Sequence, residues 1–356
     1  MDSYRVIGLM SGTSMDGLDL ADVTFKRKNS KEWSYSVNGT QMFAYNEEMR
    51  NSLLAAFSSS AAELTEFSAK LGVYYAEMVN LYLQEKNIRS AEIDFIASHG
   101  QTIFHQPEKQ YTLQIGNGPE LAVFTGLPTV VDFRTKDVAL GGNGAPLIPV
   151  ADFLLFNNEA NTFLNLGGFS NFSFQKNEKV YSYDICPVNI VVNDLVKKIG
   201  KEYDGNGDFG KTGVVNVELL EALNKLGYYQ QAYPKSLGWE WVNENVQPLF
   251  NQEIELQDKV RTIYEHIAIQ IGSALNQVKS TSTLVTGGGA KNSFLIDRIQ
   301  SHTKSKIILP SEEIIDFKEA IGFAFLGMLR WRKEINVWSS VTGSNRDGCS
   351  GVIVLP

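Results

Sequence analysis

The stretch YRVIGLMSGTSMDGLDLADVTFKR, residues 4–27, decides the fold class. Two apolar runs, Val6 to Met10 and Leu18 to Phe25, flank a small, polar, glycine-bearing turn. The second run alternates through Leu18, Leu20, Ala21, Val23 and Phe25, which favours a strand over a helix. The stretch predicts a β-hairpin whose tip is Ser11-Gly12-Thr13-Ser14-Met15-Asp16-Gly17. Such a tip can wrap a polyphosphate, because glycines let the backbone approach closely while consecutive N–H groups and hydroxyls supply donors. Taken alone, it is more simply an ordinary turn, since Gly, Ser and Thr are common in turns.

A second copy of the pattern lies at residues 161–175, NTFLNLGGFSNFSFQ. Thr162 to Leu166 leads into Gly167-Gly168, and Phe169 to Phe174 returns. Gly12 and Gly167 are 155 residues apart (167 − 12), close to one domain length. Repetition on that scale suggests two related halves, each opening with a hairpin. Residues 64–88 carry apolar side chains at helical spacing, and 256–280 and 317–334 read as further long helices. Residues 281–300, TSTLVTGGGAKNSFLIDRIQ, read as a strand, a triple-glycine turn and a helix that Asn292 or Ser293 could cap. Strands alternating with helices in this way indicate α/β layers.

One segment points elsewhere. DGNGDFGKTG, residues 204–213, contains a complete Gly-x-x-x-x-Gly-Lys-Thr in Gly205, Gly210, Lys211 and Thr212. A phosphate loop of that kind joins a buried strand to a helix. The residues upstream, NIVVNDLVKKIGKEY, are instead spaced as an amphipathic helix. The segment is therefore expected to be a surface turn between helices.

The 356 residues are 43% hydrophobic and 20% charged, with a net charge of −8, the composition of a globular protein. Length suggests two domains. The acidic balance argues against nucleic acid or a membrane surface as partner, but not against ATP, whose charge is neutralised locally. The two cysteines, Cys186 and Cys349, form no metal or disulfide pattern, which fits a cytoplasmic protein. The start, MDSYRVIGLMSGTS, lacks the features of a secretory signal. No apolar stretch is long enough for a membrane span.

The motifs IGLMSGTSMDGLDLADV (7–23), SHGQTIFHQP (98–107), TLQIGNGPELAVFTGLPTVVDFRTKDVALGGNGAPLIP (112–149), NLGGFSNFS (165–173), VTGGGAKN (285–292) and SVTGSNRDG (340–348) resemble, in order, those of the anhydro-N-acetylmuramic acid kinase family. The block from His99 to Pro149 is the most specific. The glycine turns are shared across the sugar kinase/Hsp70/actin superfamily. The resemblance implies a two-lobed actin-like (ribonuclease H-like) α/β ATPase fold, with duplicated lobes closing over ATP at an interdomain cleft. The expected lobes are 1–140, completed by 335–356, and 141–334.

The implied reaction uses ATP and water to open the anhydro bridge of 1,6-anhydro-N-acetylmuramic acid, giving N-acetylmuramic acid 6-phosphate and ADP during cell-wall recycling. The implied ATP contacts are Gly12, Thr13, Ser14, Met15, Asp16, Gly17, Leu18 and Asp19 in the first tip, Gly167 and Gly168 in the second, and Gly287, Gly288, Gly289 and Asn292 in the third turn. Asp16 is the candidate for holding Mg²⁺ through water. The family's catalytic carboxylate lies in an Asp-Thr-Gly-Pro-x-Asn segment, which falls on Asp184 in YDICPVNIVVND. Asp184, Pro187 and Asn189 match that pattern, while Ile185 and Cys186 stand where Thr and Gly are expected. The alternative for Asp184 is a cap on the helix that follows, with Pro187 in its first turn.

Gln101, Thr102, Arg134 and Glu319 are candidates for sugar contacts. Arg134 is equally readable as a salt-bridge partner of Asp132 or Asp137, and Glu319 as a first-turn carboxylate favoured by the helix dipole. His99 and His105 read as core or supporting histidines, and Cys186 as inert if buried, the alternative being that its place beside Asp184 makes the site sensitive to alkylation. Three rival functions stay open on the residues alone: a phosphate-loop NTPase, a kinase for another sugar, and an actin-like ATP-binding protein without catalysis. Monomer and homodimer are both open.

Overall fold

The computed structural model describes residues 3–12, 14–28 and 32–356. The chain divides into two compact units, Met1–Phe156 with Phe317–Pro356, and Asn157–Asp316.

In the first unit, β1 (Ser3–Ser11), β2 (Gly17–Arg27) and β3 (Trp33–Ala44) form an antiparallel meander. β4 (Phe95–Gln106) pairs parallel with β1, β5 (Tyr111–Ile115) hangs antiparallel on β4, and β6 (Thr129–Val131) continues in parallel. The strand Val352–Val354 closes the far edge against β6. Flanked on both sides, β1 is buried without interruption from Val6 to Ser11, as a central strand covered on both faces must be. The helix Ala61–Glu85 starts at a capping box between Ser60 and Glu63. Its Leu71, Tyr75 and Val79 join the core that contains Ile7 and Leu9. The other face of β1 presents Gly8, where a Cβ would lie 2.1 Å from the carbonyl oxygen of Ala320 on the helix Glu312–Trp331. Glycine there is a packing requirement, because the helix backbone rests directly on the strand.

That contact places residues from Phe317 onward in the first unit. The boundaries fall at 156/157 and 316/317, whereas the sequence had suggested 140/141 and 334/335. The helix is apolar almost all round, which announces burial without announcing which sheet buries it.

In the second unit, β7 (Thr162–Leu166), β8 (Phe169–Lys176) and β9 (Lys179–Pro187) form another antiparallel meander. β10 (Ser282–Thr286) pairs parallel with β7, and β11 (Lys306–Ile308) parallel with β10. The order β11-β10-β7-β8-β9 repeats the order β6-β4-β1-β2-β3 of the first unit. Three antiparallel strands followed by two parallel ones, with the first strand central, is the ribonuclease H-like arrangement. Its duplication is the actin-like α/β fold. Among the described residues no helix is long and apolar enough to cross a membrane.

Candidate functional site

Within the first unit the hairpin β1–β2 delivers the first tip. Met10 pairs with Asp19 and Ser11 with Leu18, so the ladder runs up to the turn. Met15 has φ 53° and donates its N–H to the Gly12 carbonyl at 3.2 Å. Ser14 donates to the exposed Asp16 carboxylate at 2.7 Å. Thr13 lies outside the described residues. Leu18 is fully buried in the core, and Gly17 is set by packing, since a Cβ would meet the Phe43 carbonyl oxygen at 2.6 Å. The base of the tip is braced by Gln101, which is fully buried and whose side-chain carbonyl accepts the Ser11 hydroxyl proton. Thr102 beside it accepts from Gln114 at 3.3 Å.

Within the second unit, Gly167-Gly168 joins β7 to β8, and Gly287-Gly288-Gly289 follows β10, the parallel neighbour of β7. The two turns therefore meet at the carboxyl ends of adjacent strands. Gly287 has φ 82°, and a Cβ there would lie 2.4 Å from Asn165 Oδ1. Gly289 would strike Leu166 at 2.7 Å. Asn189 donates from Nδ2 to the Leu166 carbonyl at 3.1 Å, and the amide of Val188 donates to the Gly168 carbonyl at 2.8 Å. Asn292 caps the helix Ser293–His302 by accepting from the Leu295 amide, and its Nδ2 donates to the Tyr264 hydroxyl at 2.9 Å. Thr286, at the end of β10, has a buried hydroxyl with no partner among the described residues.

Four glycines of these turns are needed by neither conformation nor packing. None of Gly12, Gly167, Gly168 and Gly288 has φ in the left-handed region. The nearest atoms to a Cβ would be 3.5, 3.5, 3.7 and 3.9 Å away, ordinary contacts. Gly205 and Gly227 share that openness outside these three turns. In each unit, glycines with space above them keep backbone amides accessible to something outside the chain.

Asp184 sits on β9. Its Oδ2 accepts the amide proton of Leu237 at 2.9 Å. Burial pushes its carboxyl above the ordinary aspartate value, and the Leu237 amide pulls the other way. It is not a helix cap: the helix Asn189–Lys197 begins after Val188, with no side-chain cap, and Pro187 ends the strand. Ser170 pairs with Cys186 and Asn171 with Asp184, so Ile185 is the extra residue of a β-bulge, a device that re-aims its neighbours. Cys186 is fully buried, and burial pushes its thiol up to about 12, so it is an inert core residue rather than a target for alkylation.

In the first unit Arg134 is held by His99 and by Gly144, whose carbonyl accepts from Nη1 at 2.6 Å. Burial pushes the guanidinium down to about 10, opposed by Glu319. The acids weighed as its surface partners are otherwise engaged. Asp132 accepts from the Thr135 amide, and the buried Asp137 accepts from the Gly144 amide and the Thr342 hydroxyl. Among the described residues the Nη2 of Arg134 makes no hydrogen bond. Glu319 reaches solvent, while surrounding protein raises its carboxyl pKa against the pull of Lys318 and Arg134. Lys318 and Asp152 form a buried ion pair at 3.1 Å, which sequence gave no reason to join. His105 is bonded to Thr112 and belongs with the supporting residues.

In the segment 204–213 an acid of the chain stands where a phosphate would. Asp204 is buried, and its carboxylate accepts the amide protons of Phe209 and Gly210 at 2.9 Å each and the Tyr264 hydroxyl at 3.0 Å. Two of the amides that a phosphate loop would offer are filled by the chain's own anion. Gly210 and Gly213 are there because a Cβ would strike Tyr264 at 2.5 Å and the Gln257 carbonyl at 2.2 Å. The segment is thus packed against the helix Leu256–Gln277 rather than lying free as a surface turn. Lys211 itself is exposed.

The model of the family described as anhydro-N-acetylmuramic acid kinase matches residues 4–356. The anhydro-N-acetylmuramic acid kinase of Aliivibrio fischeri is 35% identical over 370 residues, covering 99% of this chain and 99% of that protein. That of Mannheimia succiniciproducens is 35% identical over 368 residues, covering 98% of each. That of Haemophilus influenzae is 32% identical over 381 residues, covering 99% and 98%. With its glycine turns, its strand-borne aspartate and its duplicated sheets in the same linear order, the chain belongs to the anhydro-N-acetylmuramic acid kinase family.

Proposed function

We propose that the chain uses ATP and water to open the anhydro bridge of 1,6-anhydro-N-acetylmuramic acid and phosphorylate O6, yielding N-acetylmuramic acid 6-phosphate and ADP. Family membership over nearly the whole chain supports the reaction. The observation that carries the assignment of its base is Asp184, a half-buried carboxylate anchored by one backbone amide. Asp184 takes a proton from water aimed at C1. The C1–O6 bond breaks with its electron pair on O6, and O6 takes the γ-phosphoryl group as ADP leaves. A carboxylate whose pKa is raised by burial is a better base than a free one, and such help is worth about 10²- to 10⁴-fold.

The tip from Gly12 to Asp19 and the turns at Gly167-Gly168 and Gly287–Gly289 are assigned to the nucleotide, their open glycines leaving room for it. Asn292 supports the third turn as a cap, and Gln101 supports the first tip through Ser11. Thr102, Arg134 and Glu319 are assigned to the sugar. The exposed oxygens of Asp16 suit Mg²⁺ held through water. Among the described residues no group of three or more acids, histidines or cysteines could hold a metal, so phosphate and water have to complete its shell. The ion would neutralise phosphate charge. Two free thiols fit a reducing cytoplasm, where this recycling would run.

A brief incubation with Mg-ATP and the anhydro sugar in ¹⁸O-labelled water tests the reading. Label is expected at C1 of a 6-phosphorylated product. Absence of product, or product unlabelled at C1, overturns it.

A further inference from the structure

We infer that Tyr228 is a positioning residue for Asp184, holding the base through its backbone from a segment that buttresses the outer edge of β9. The inference rests on the reading of Asp184 as the base.

β9 is the edge strand of its sheet, so the outer backbone groups of Asp184 have no strand to pair with. The segment 228–237 takes their place. The Asp184 amide donates to the Lys235 carbonyl at 3.2 Å, and the Tyr228 hydroxyl donates to the Asp184 carbonyl at 2.6 Å. The Leu237 amide then donates to the carboxylate itself. Amide, carbonyl and carboxylate of one residue are thus held by one stretch of chain. The next residue, Ile185, is the bulged one and has no hydroxyl to offer.

The segment is itself fixed. The Lys235 ammonium donates to the Tyr228 carbonyl at 3.0 Å and lies 4.5 Å from the centre of its ring. The Tyr228 ring packs at 5.3 Å from Trp241, and the Tyr183 and Tyr233 rings stack at 5.5 Å. Tyr228 is buried and far above its ordinary pKa, first through burial and then through the Asp184 charge, so its hydroxyl stays a donor. Tyr228 and Cys186 both feel the Asp184 charge, and Lys235 comes in on the same segment through its backbone carbonyl.

Tyr228→Phe keeps the ring and removes only the hydroxyl. Expected are a kcat on the order of tenfold lower, a sugar KM within about twofold of the parent, a melting temperature lowered only by the loss of one hydrogen bond, and an acid limb of kcat shifted to higher pH as the Leu237 amide loosens its hold on the carboxylate. A parental kcat and acid limb overturn the inference. Should Tyr228→Phe fold poorly, Lys235→Met, which frees the same segment by removing the ammonium, is read by kcat and sugar KM alone, because loss of the ammonium charge moves the acid limb by itself. Asp184→Asn is assayed alongside. If it keeps parental turnover, the base reading itself falls. If it is inactive while Tyr228→Phe and Lys235→Met behave as the parent, only the positioning role falls.

Discussion

Arg134 donates its Nε proton to Nε2 of His99 at 2.9 Å. The imidazole must then be the Nδ1–H tautomer, donating to the Gly100 carbonyl at 2.8 Å. Burial and the Arg134 charge both hold His99 well below its ordinary pKa. The histidine thus acts as a neutral acceptor that orients a cation, leaving the Nη2 end of the guanidinium for an anion. If that anion is on the sugar, Arg134→Lys, which loses the planar fork, raises the sugar KM on the order of tenfold with a smaller effect on kcat. Steady-state kinetics at saturating ATP measure it, and an unchanged KM would remove Arg134 from the substrate.

Gly8 and Gly12 make opposite predictions although they belong to one hairpin. Gly8→Ala forces a methyl against the Ala320 carbonyl and is expected to cost about 1–3 kcal/mol of stability. Gly12→Ala meets only ordinary contacts, so the melting temperature should hold while nucleotide affinity drops on the order of tenfold, about 1.4 kcal/mol. Denaturation and nucleotide titration of both variants separate the two effects. Equal nucleotide affinity in Gly12→Ala and the parent would take the first tip out of the binding site.

Asp204 and Lys211 form a second contrasting pair. Asp204→Ala leaves two amides and a tyrosine hydroxyl without their anion, at a cost of about 2–4 kcal/mol. Lys211→Ala touches an exposed side chain, so turnover and stability should stay at the parental level. Loss of ATP turnover in Lys211→Ala, with stability intact, would revive the phosphate-loop reading.

The hairpins and the triple-glycine turn were legible because alternation and turn chemistry are local signals. Context at 189–203 was likewise enough to distrust the Gly-Lys-Thr spelling. What surrounds Asp184 was not legible. Its partners Tyr228 and Leu237 follow by 44 and 53 residues, and no local period encodes such contacts. Lys318 and Asp152 lie 166 apart, joined only once the helix Glu312–Trp331 settles on Gly8.

Acid should weaken the fold in two stages. His266 is buried, accepts from Tyr229 and donates to Asn224, and burial takes it down to about 3. Its folded pKa is depressed, so between about 3 and 6.5 the unfolded chain binds more protons and stability is lost as pH falls. For Glu265 desolvation raises the pKa, but hydrogen bonds from Arg298, Arg261 and His302 bring it down to about 2. Its contribution is lost as pH falls from 4.5 toward 2. Melting temperatures across pH 7 to 4, a range of about three units, should therefore decline. His266→Gln should flatten the upper part of that decline, and an unaltered slope in the variant would dismiss the histidine as its source.

The rest of Ala320 on Gly8 also sets a timetable for synthesis. Residues 157–316 are contiguous, so that unit can reach its native contacts while the ribosome is still adding the remainder. The earlier-made sheet must wait, with one face of β1 bare and β6 unpaired along its outer side, until residues 317–356 emerge. The half translated first is therefore finished last.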